Sequence, residues 1–478
     1  MLQYCILAAF IFFFVLFLYS IEKLVKLRAR ANPSLPPGSL GWPLIGETLE
    51  FLRAGRLGEP ERFIRERMDR YDARVFKTSL LGEPMAVFCG TAGHKFLFGN
   101  ENKAVKVWWP STVQKLFRSS LVNAAGEDAK SLKRILMNFF HPEALKRYIE
   151  RMDMITRHHL DTHWERREEV RLYPMLKVYT FELACRIFTS TDDRTRVSTL
   201  AALFDVFING VVNLPISFPG TAFYCSTRAA SRIREEIRSI ARERKLAPWE
   251  KKAMPDQDLL SFLLTSADAN GRFLSEMEII DNILLILFAG HDTTRSAITL
   301  FVKYLSDYPE VYEKICKEHE DIAKSKEPGR LQWEDVQKMR YSMNVVAEVL
   351  RLMPPVTGAF REALVNFTYA GYTIPKGWKL YWTTGSTHKD PVLYPNPEKF
   401  DVSRFEGSGS NPFSYVPFGG GPRMCLGHEF ARIQILIFLH TMVTRFKWNL
   451  AIPDEAIGYD PMLSPQQGLP LCLLPHRL

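Results

Sequence analysis

Closely spaced cysteines are missing from this chain. Seven occur in 478 residues, at positions 5, 89, 185, 225, 316, 425 and 472, an odd number with no two near each other. That excludes a disulfide framework and the paired spacing of a zinc finger. Scattered single thiols fit a reducing compartment, and six of the seven read as small buried apolar residues. Blocks of Lys and Arg interleaved with aromatics are missing too. The net charge of +9, from 62 Lys+Arg against 53 Asp+Glu, therefore suits an anionic membrane surface or an acidic protein better than nucleic acid. Internal repeats and low-complexity segments are absent. So is a second long apolar run, which leaves the first one to be explained.

That run is LQYCILAAFIFFFVLFLYSI, residues 2–21, with no charge. Twenty helical residues span about 30 Å, the thickness of a bilayer's hydrocarbon core. Lys23, Lys26, Arg28 and Arg30 follow it and no basic side chain precedes it. A cleaved signal peptide would carry its basic cluster on the other side, despite the Ala29-Arg30-Ala31 stretch. The expectation is a transmembrane signal anchor over 1–22, with the rest of the chain on the cytosolic face. A basic, proline-rich linker over 23–38 follows, stiffened by Pro33, Pro36 and Pro37. Residues 39–478 read as one large domain, since 46% apolar and 24% charged residues are an ordinary globular balance.

Apolar periodicity predicts helices over 60–70, 127–140, 143–165, 228–245, 275–306, 309–324, 340–353 and 428–446. Short strands are predicted over 74–79, 85–89, 367–370 and 379–384. The fold class is mainly α with small β-sheets.

Four constellations carry chemistry. Ser275 and Glu278 form a capping box ahead of the apolar run IIDNILLILFAG. A helix that long and that apolar crosses the middle of a domain. Its interior then holds His291, Asp292, Thr293 and Thr294, where an acid and a hydroxyl suit proton delivery in a groove, and a polar patch on the helix back is the plainer alternative. Glu348 and Arg351 lie three apart on one helical face, ahead of Pro354 and Pro355. Arg404 sits among Phe400 and Phe405 and gains meaning only if it reaches Glu348. The stretch FGGGPRMCLG, residues 418–427, wraps a single thiol in glycine just before a helix. There the free N–H groups and the dipole favour a thiolate. A nucleophilic cysteine needs a partner histidine, and the sequence places none. A lone thiolate without further protein ligands suits haem better than zinc.

Together these motifs make the chain resemble a cytochrome P-450, a haem-thiolate monooxygenase, over nearly its whole length. The family's F-x-x-G-x-R-x-C-x-G pattern is met by Phe418, Gly421, Arg423, Cys425 and Gly427. Its A/G-G-x-D/E-T-T/S pattern is met over Ala289 to Thr294, and its E-x-x-R pair by Glu348 and Arg351. The resemblance implies the cytochrome P-450 fold behind one membrane helix, haem b with Cys425 as axial ligand, and Arg423 and Arg361 against its propionates. A further propionate contact falls to Lys130, Lys133 or Arg134, because Ala129 stands where the family often has Trp. Glu348, Arg351 and Arg404 should form a buried charge triad. Asp292 and Thr293 should route the two protons that O₂ cleavage consumes. Electrons should come from an NADPH-cytochrome P-450 reductase with an acidic docking face, at the endoplasmic reticulum membrane. Val402 replaces a proline common in its loop.

More closely, stretches such as PPGSLGWPLIGETLEFL, AGHDTT, STHKDP and RFKWNL resemble the plant subfamily that oxidises cyclic triterpenes of the β-amyrin type, with C-28 as a candidate position. The apolar segment 211–224 suits contact with a membrane in which such a substrate waits. Parts of 108–120, 203–218, 283–289, 355–360 and 462–468 are expected to line the pocket. The alternatives are a haem-thiolate isomerase or dehydratase, against which Asp292 and Thr293 argue, a haem sensor or carrier, and oxidation of a taxane-type diterpenoid or plant steroid.

Overall fold

The computed structural model describes residues 9–21, 34–246, 257–325, 329–407, 411–459 and 462–475. Its contacts divide the chain into two compact units. One holds residues up to Trp108 together with Gly358–Thr387, and the other holds Trp109–Thr357 with His388–Leu478.

The first unit is built on a five-stranded sheet, in the order β1 (Val75–Leu80), β2 (Glu83–Phe88), β8 (Lys379–Thr383), β5 (Gly358–Ala363), β3 (Val105–Val107). β1 pairs with β2 antiparallel, Val75 opposite Phe88, and β2 with β8 parallel, Met85 opposite Lys379. β5 joins β8 and β3 antiparallel, setting Arg361 opposite Val107. β6 (Phe367–Tyr369) and β7 (Tyr372–Ile374) form a separate hairpin. Helices Thr48–Arg56, Arg62–Arg70 and Gly90–Gly99 flank the sheet. Phe63, Phe76, Met85 and Val87 fill its core.

Of the expected anchor, residues 9–21 form a helix with its apolar side chains exposed. No helix among the described residues is long and apolar enough to cross a membrane. The remainder of the 1–22 span and the basic part of the linker, residues 1–8 and 22–33, lie outside the described residues.

The second unit is helical, with two small sheets. One has the order β4 (Glu169–Arg171), β12 (Pro470–Pro475), β9 (Phe446–Leu450), and the other pairs β10 (Ile457–Tyr459) with β11 (Leu463–Pro465). Its axis is the helix Glu276–Asp307, 32 residues long, or about 48 Å. Ser275 accepts from the Glu278 N–H and the Glu278 carboxylate accepts from the Ser275 N–H, so the predicted capping box is formed. Its most extensive partner is the helix Leu172–Thr189. That helix is mostly buried, through Leu176, Tyr179, Leu183 and Ile187 among others, and its exposed strip carries the apolar Pro174 and Val178, so its amphipathic period is weak in the sequence. His428–Val443 is buried from Ile433 to Val443 and lies against Ile149–His163.

Three histidines in this core are held neutral. Burial lowers His159 to about 3, and lowers His291 and His319 below the usual imidazole range. Neither ring nitrogen of His159 has a hydrogen-bond partner among the described residues. A histidine depressed in the fold contributes stability above its unfolded value of about 6.5, and that contribution is lost as pH falls through the window below. Stability of the protein should therefore decline steadily from about pH 6.5 downward. His159→Leu should flatten that decline and leave neutral-pH stability unchanged or about 1 kcal/mol higher. Denaturant titrations at several pH values read both, and an acid slope identical to the parent's would contradict the assignment.

Candidate active site

Glycine's freedom is used at two points of the 418–427 loop. Gly419 has φ 70° and Gly421 has φ 63°, values that side-chain-bearing residues rarely adopt. Gly420 between them is extended. The Gly419 N–H donates to the Val416 carbonyl, and the Cys425 N–H to the Phe418 carbonyl, both at 3.0 Å. These bonds fold the loop back on itself and leave Cys425 three residues ahead of the helix His428–Val443, with Gly427 as its N-cap.

The Cys425 side chain is reached by solvent. Protein nevertheless crowds it closely enough that desolvation pushes its thiol up. Both hold for a sulfur at the floor of a recess enclosed by protein. The Gly427 N–H and the Lys133 ammonium act the other way and favour thiolate. A Cβ added at Gly427 would meet no atom within 4 Å, so the glycine borders open space. No cluster of three or more His, Cys, Asp or Glu among the described residues could hold a metal ion. One recessed sulfur beside open space, with no further protein ligand, fits a planar macrocycle that brings its own ring donors. It does not fit a four-ligand metal ion.

Behind the loop, the structure brings Glu348, Arg351 and Arg404 together. Arg351 grips Glu348 with two nitrogens at 2.6 and 2.8 Å, both side chains fully buried. Arg404 Nε stands 3.6 Å from the same carboxylate. Arg351 also donates to the carbonyls of His388, Pro397 and Lys399, and Arg404 to those of Pro395 and Asn396. Two charged residues thus hold the irregular 388–405 segment by its backbone. His388 extends the chain of contacts. Its Nε2 accepts from the Val416 N–H at 2.9 Å, so Nδ1 carries the proton and donates to the Arg351 carbonyl at 3.1 Å. The charge cluster is thereby tied to the root of the cysteine loop.

On the long helix, Thr293 Oγ1 donates to the Ala289 carbonyl at 2.7 Å, and the helix continues without a break. Ala289 is exposed on a stretch that is otherwise largely buried, and Thr293 is half-buried. Asp292 is buried and ion-paired with Arg295, whose guanidinium lies 4.1 Å from the centre of the Tyr173 ring. Phe288 packs edge-on or tilted against Phe117 and Phe207, which brings three of the expected pocket segments together.

The basic residues divide. Arg423 donates to the carbonyls of Leu121 (3.3 Å) and Ala124 (2.8 Å). Lys133 donates to the Pro422 carbonyl at 2.5 Å, inside the loop. Lys130 is exposed and paired with Glu127, and Arg134 is exposed. Of the three candidates on this helix, Lys133 meets the loop, while Lys130 and Arg134 are exposed. Arg361 belongs to the other unit, where it is buried against Glu101 at 2.7 Å. Sequence reasoning missed His388, Arg295 and Glu101. Arg295 stands three residues from Asp292 and was open to a pair search, whereas nothing in the spacing marks the other two.

A model of the family "Cytochrome P450" matches residues 36–467. The chain is 52% identical to a β-amyrin 28-monooxygenase of Vitis vinifera, covering 93% of each. It is 49% identical to one of Kalopanax septemlobus, over 99% of this chain and 98% of that one. It is 46% identical to a protopanaxadiol 6-hydroxylase of Panax ginseng, over 93% and 94%. Among solved structures it is similar to the retinoic acid-bound cyanobacterial CYP120A1, with a TM-score of 0.84 and 35% identity over 92% of this chain and 99% of that one.

Removing one member of a fully buried ion pair strands the other. Arg351→Leu should destabilise the protein by about 3–5 kcal/mol, read by denaturant unfolding. A loss below about 1 kcal/mol would mean that the pair behaves as a surface contact. The raised thiol gives a second expectation. Ligation needs the thiolate, so haem uptake by the apoprotein should release a proton and tighten by up to about tenfold per pH unit near neutrality. Uptake equally tight at all pH values would show that Cys425 is not the group being deprotonated.

Proposed function

Because the chain belongs to the cytochrome P-450 family, and is thus a haem-thiolate monooxygenase, we propose that it hydroxylates an unactivated C–H of a cyclic triterpenoid, with β-amyrin C-28 as the leading position. The observation that carries this is identity near 50%, over nearly the full length, to relatives named for that reaction. The cysteine loop and acid–alcohol pair supply the chemistry's requirements. A relative acting on protopanaxadiol at position 6 is almost as similar. The position oxidised is therefore an outcome of the experiment and not a premise.

Haem, when bound, supplies the oxygen activation that no side chain performs. The residues of this chain do the rest. Cys425 offers the one thiolate, with the Gly427 N–H and the Lys133 ammonium favouring its charge. Thr293 points its hydroxyl hydrogen at the Ala289 carbonyl, leaving its oxygen to accept a hydrogen bond from the open side. Asp292 holds a carboxylate one residue away, oriented by Arg295, and protons pass between these two groups and solvent. Phe288 is partly exposed and packs on the fully buried Phe117 and Phe207, an apolar surface with a rigid backing suited to a fused-ring hydrocarbon. Lys133 and Arg423 are the basic groups that this unit offers to the propionates.

Membrane attachment belongs to the same reading. The 2–21 run supports an anchor in the endoplasmic reticulum membrane. Val212, Leu214, Ile216 and Phe218 are each more than half exposed, an apolar patch suited to lipid. The basic net charge suits an acidic NADPH-cytochrome P-450 reductase as electron donor.

Product analysis tests the reading. The full chain, expressed in yeast with a plant reductase and supplied with β-amyrin, α-amyrin, lupeol or dammarenediol, should yield a product heavier by one oxygen, absent in Cys425→Ala. Asp292→Asn should slow product formation by about 10²-fold while keeping the carbon-monoxide spectrum of thiolate-ligated haem. No product from any of the four, with that spectrum intact, would discard the triterpenoid and keep the enzyme class.

A further inference from the structure

The segment between the helices Ser111–Phe117 and Gly126–Phe140 has no strand or helix to satisfy its backbone. The first of these helices ends at Arg118, which turns at φ 35°, a conformation costly for a residue with a side chain. The next N–H groups then find unusual partners. Ser119 N–H donates to Asp281 Oδ2 and Leu121 N–H to Asn282 Oδ1, each at 3.0 Å. Asp281 and Asn282 are adjacent on the long helix and fully buried. A third helix, Ala222–Leu246, closes the arrangement. Arg234 Nε pairs with Asp281 Oδ1 at 2.6 Å, and its Nη2 donates to the Leu116 carbonyl at 2.5 Å. Between these anchors the chain is tightly turned, with the Ser120 carbonyl accepting from both Asn123 and Ala124 N–H.

The other edge of the same segment faces the cysteine loop. The carbonyls of Leu121 and Ala124 receive the two terminal nitrogens of Arg423. Leu121 therefore carries both attachments, its N–H fixed by Asn282 and its carbonyl fixing Arg423. Arg423 stands two residues from Cys425. A side chain on the long helix and a guanidinium beside the thiol are thus joined through a single peptide segment with few free torsions.

We propose that Asp281 and Asn282 are positioning residues for the cysteine loop: through the backbone of 119–124 they set the carbonyls that hold Arg423 beside Cys425. Neither touches the thiol, and neither belongs to the motifs that identified it. The proposal rests on Cys425 as the haem ligand. It predicts that loosening the long helix's grip on the segment is felt at the loop rather than throughout the fold.

The test uses the full chain as Asp281→Asn and, should that variant fail to fold, Asn282→Ala, which removes no charge, only the acceptor of Leu121 N–H and a donor to the Glu278 carbonyl within the helix. Glu276→Gln serves as control, since it breaks an exposed pair with Arg238 on the same two helices. Hydrogen exchange should rise at the amides of Ser119 and Leu121 and also at Gly419 and Cys425. The ladder between β9 and β12, where Trp448 faces Leu473, should keep its protection. Haem should dissociate about tenfold faster, the lower end for a group that orients a ligand from behind, with the carbon-monoxide spectrum shifting from the thiolate-ligated to the inactive form. Combined with Arg423→Lys, either variant should add nothing further, because both act through one contact. Equal loss of protection in the β9–β12 ladder, or effects that add in full, would overturn the proposal. Retention of the thiolate-type spectrum by Cys425→Ala would instead sink the ligand assignment, while the exchange pattern would still judge the linkage.

Discussion

A carboxylate removed from water has to be compensated, and Glu348 is compensated from two sides. Arg351 on its own helix and Arg404 from the irregular segment beyond both lie against it. Burying three charged groups is expensive, and the expense makes sense only through what they hold. Five backbone carbonyls between His388 and Lys399 accept from the two guanidiniums. That stretch has no strand and almost no helix, so its carbonyls would otherwise want water. The cluster replaces secondary structure there. His388 then transmits the order to Val416, where the cysteine loop begins. The position of the thiol thus depends on a polar cluster that never touches it.

How much of this was legible in the sequence follows from the physics of each part. The long helix and its capping box were readable because an apolar period and a Ser–Glu pair are local signals. Leu172–Thr189 was not, since a mostly buried helix whose exposed residues include Pro174 and Val178 has little polar face to contrast with. Strands of three residues such as β3, β4 and β10 carry too few alternations to stand out. Cys425, Asp292, Thr293 and the Glu348–Arg351 pair were visible because their chemistry demands fixed spacing along one element. Lys133 over Lys130 and Arg134 could not be chosen from sequence. The three fall within five residues of one helix, and only the packing of that helix decides which one meets Pro422. His388, Asp281 and Asn282 were invisible for a related reason: each serves a backbone group distant in sequence, a task with no required neighbour.

This division bears on what the motifs can specify. On the proposed reading, a thiolate loop, an acid–alcohol pair and a charge cluster determine that a C–H can be attacked. They contain nothing that senses the shape of the molecule presented. Among the residues expected at the pocket, Phe288 is partly exposed and packs on the fully buried Phe117 and Phe207, rings with few torsions and little room to adapt. A displacement of about 1 Å in a reacting carbon is enough to forfeit much of the rate. On the proposed reading, small changes in that aromatic cluster would move oxidation from one carbon to another while every motif residue stays in place. On that reading the motif residues and the residues that meet the substrate's shape are separate sets, and the second set is apolar and carries no fixed spacing.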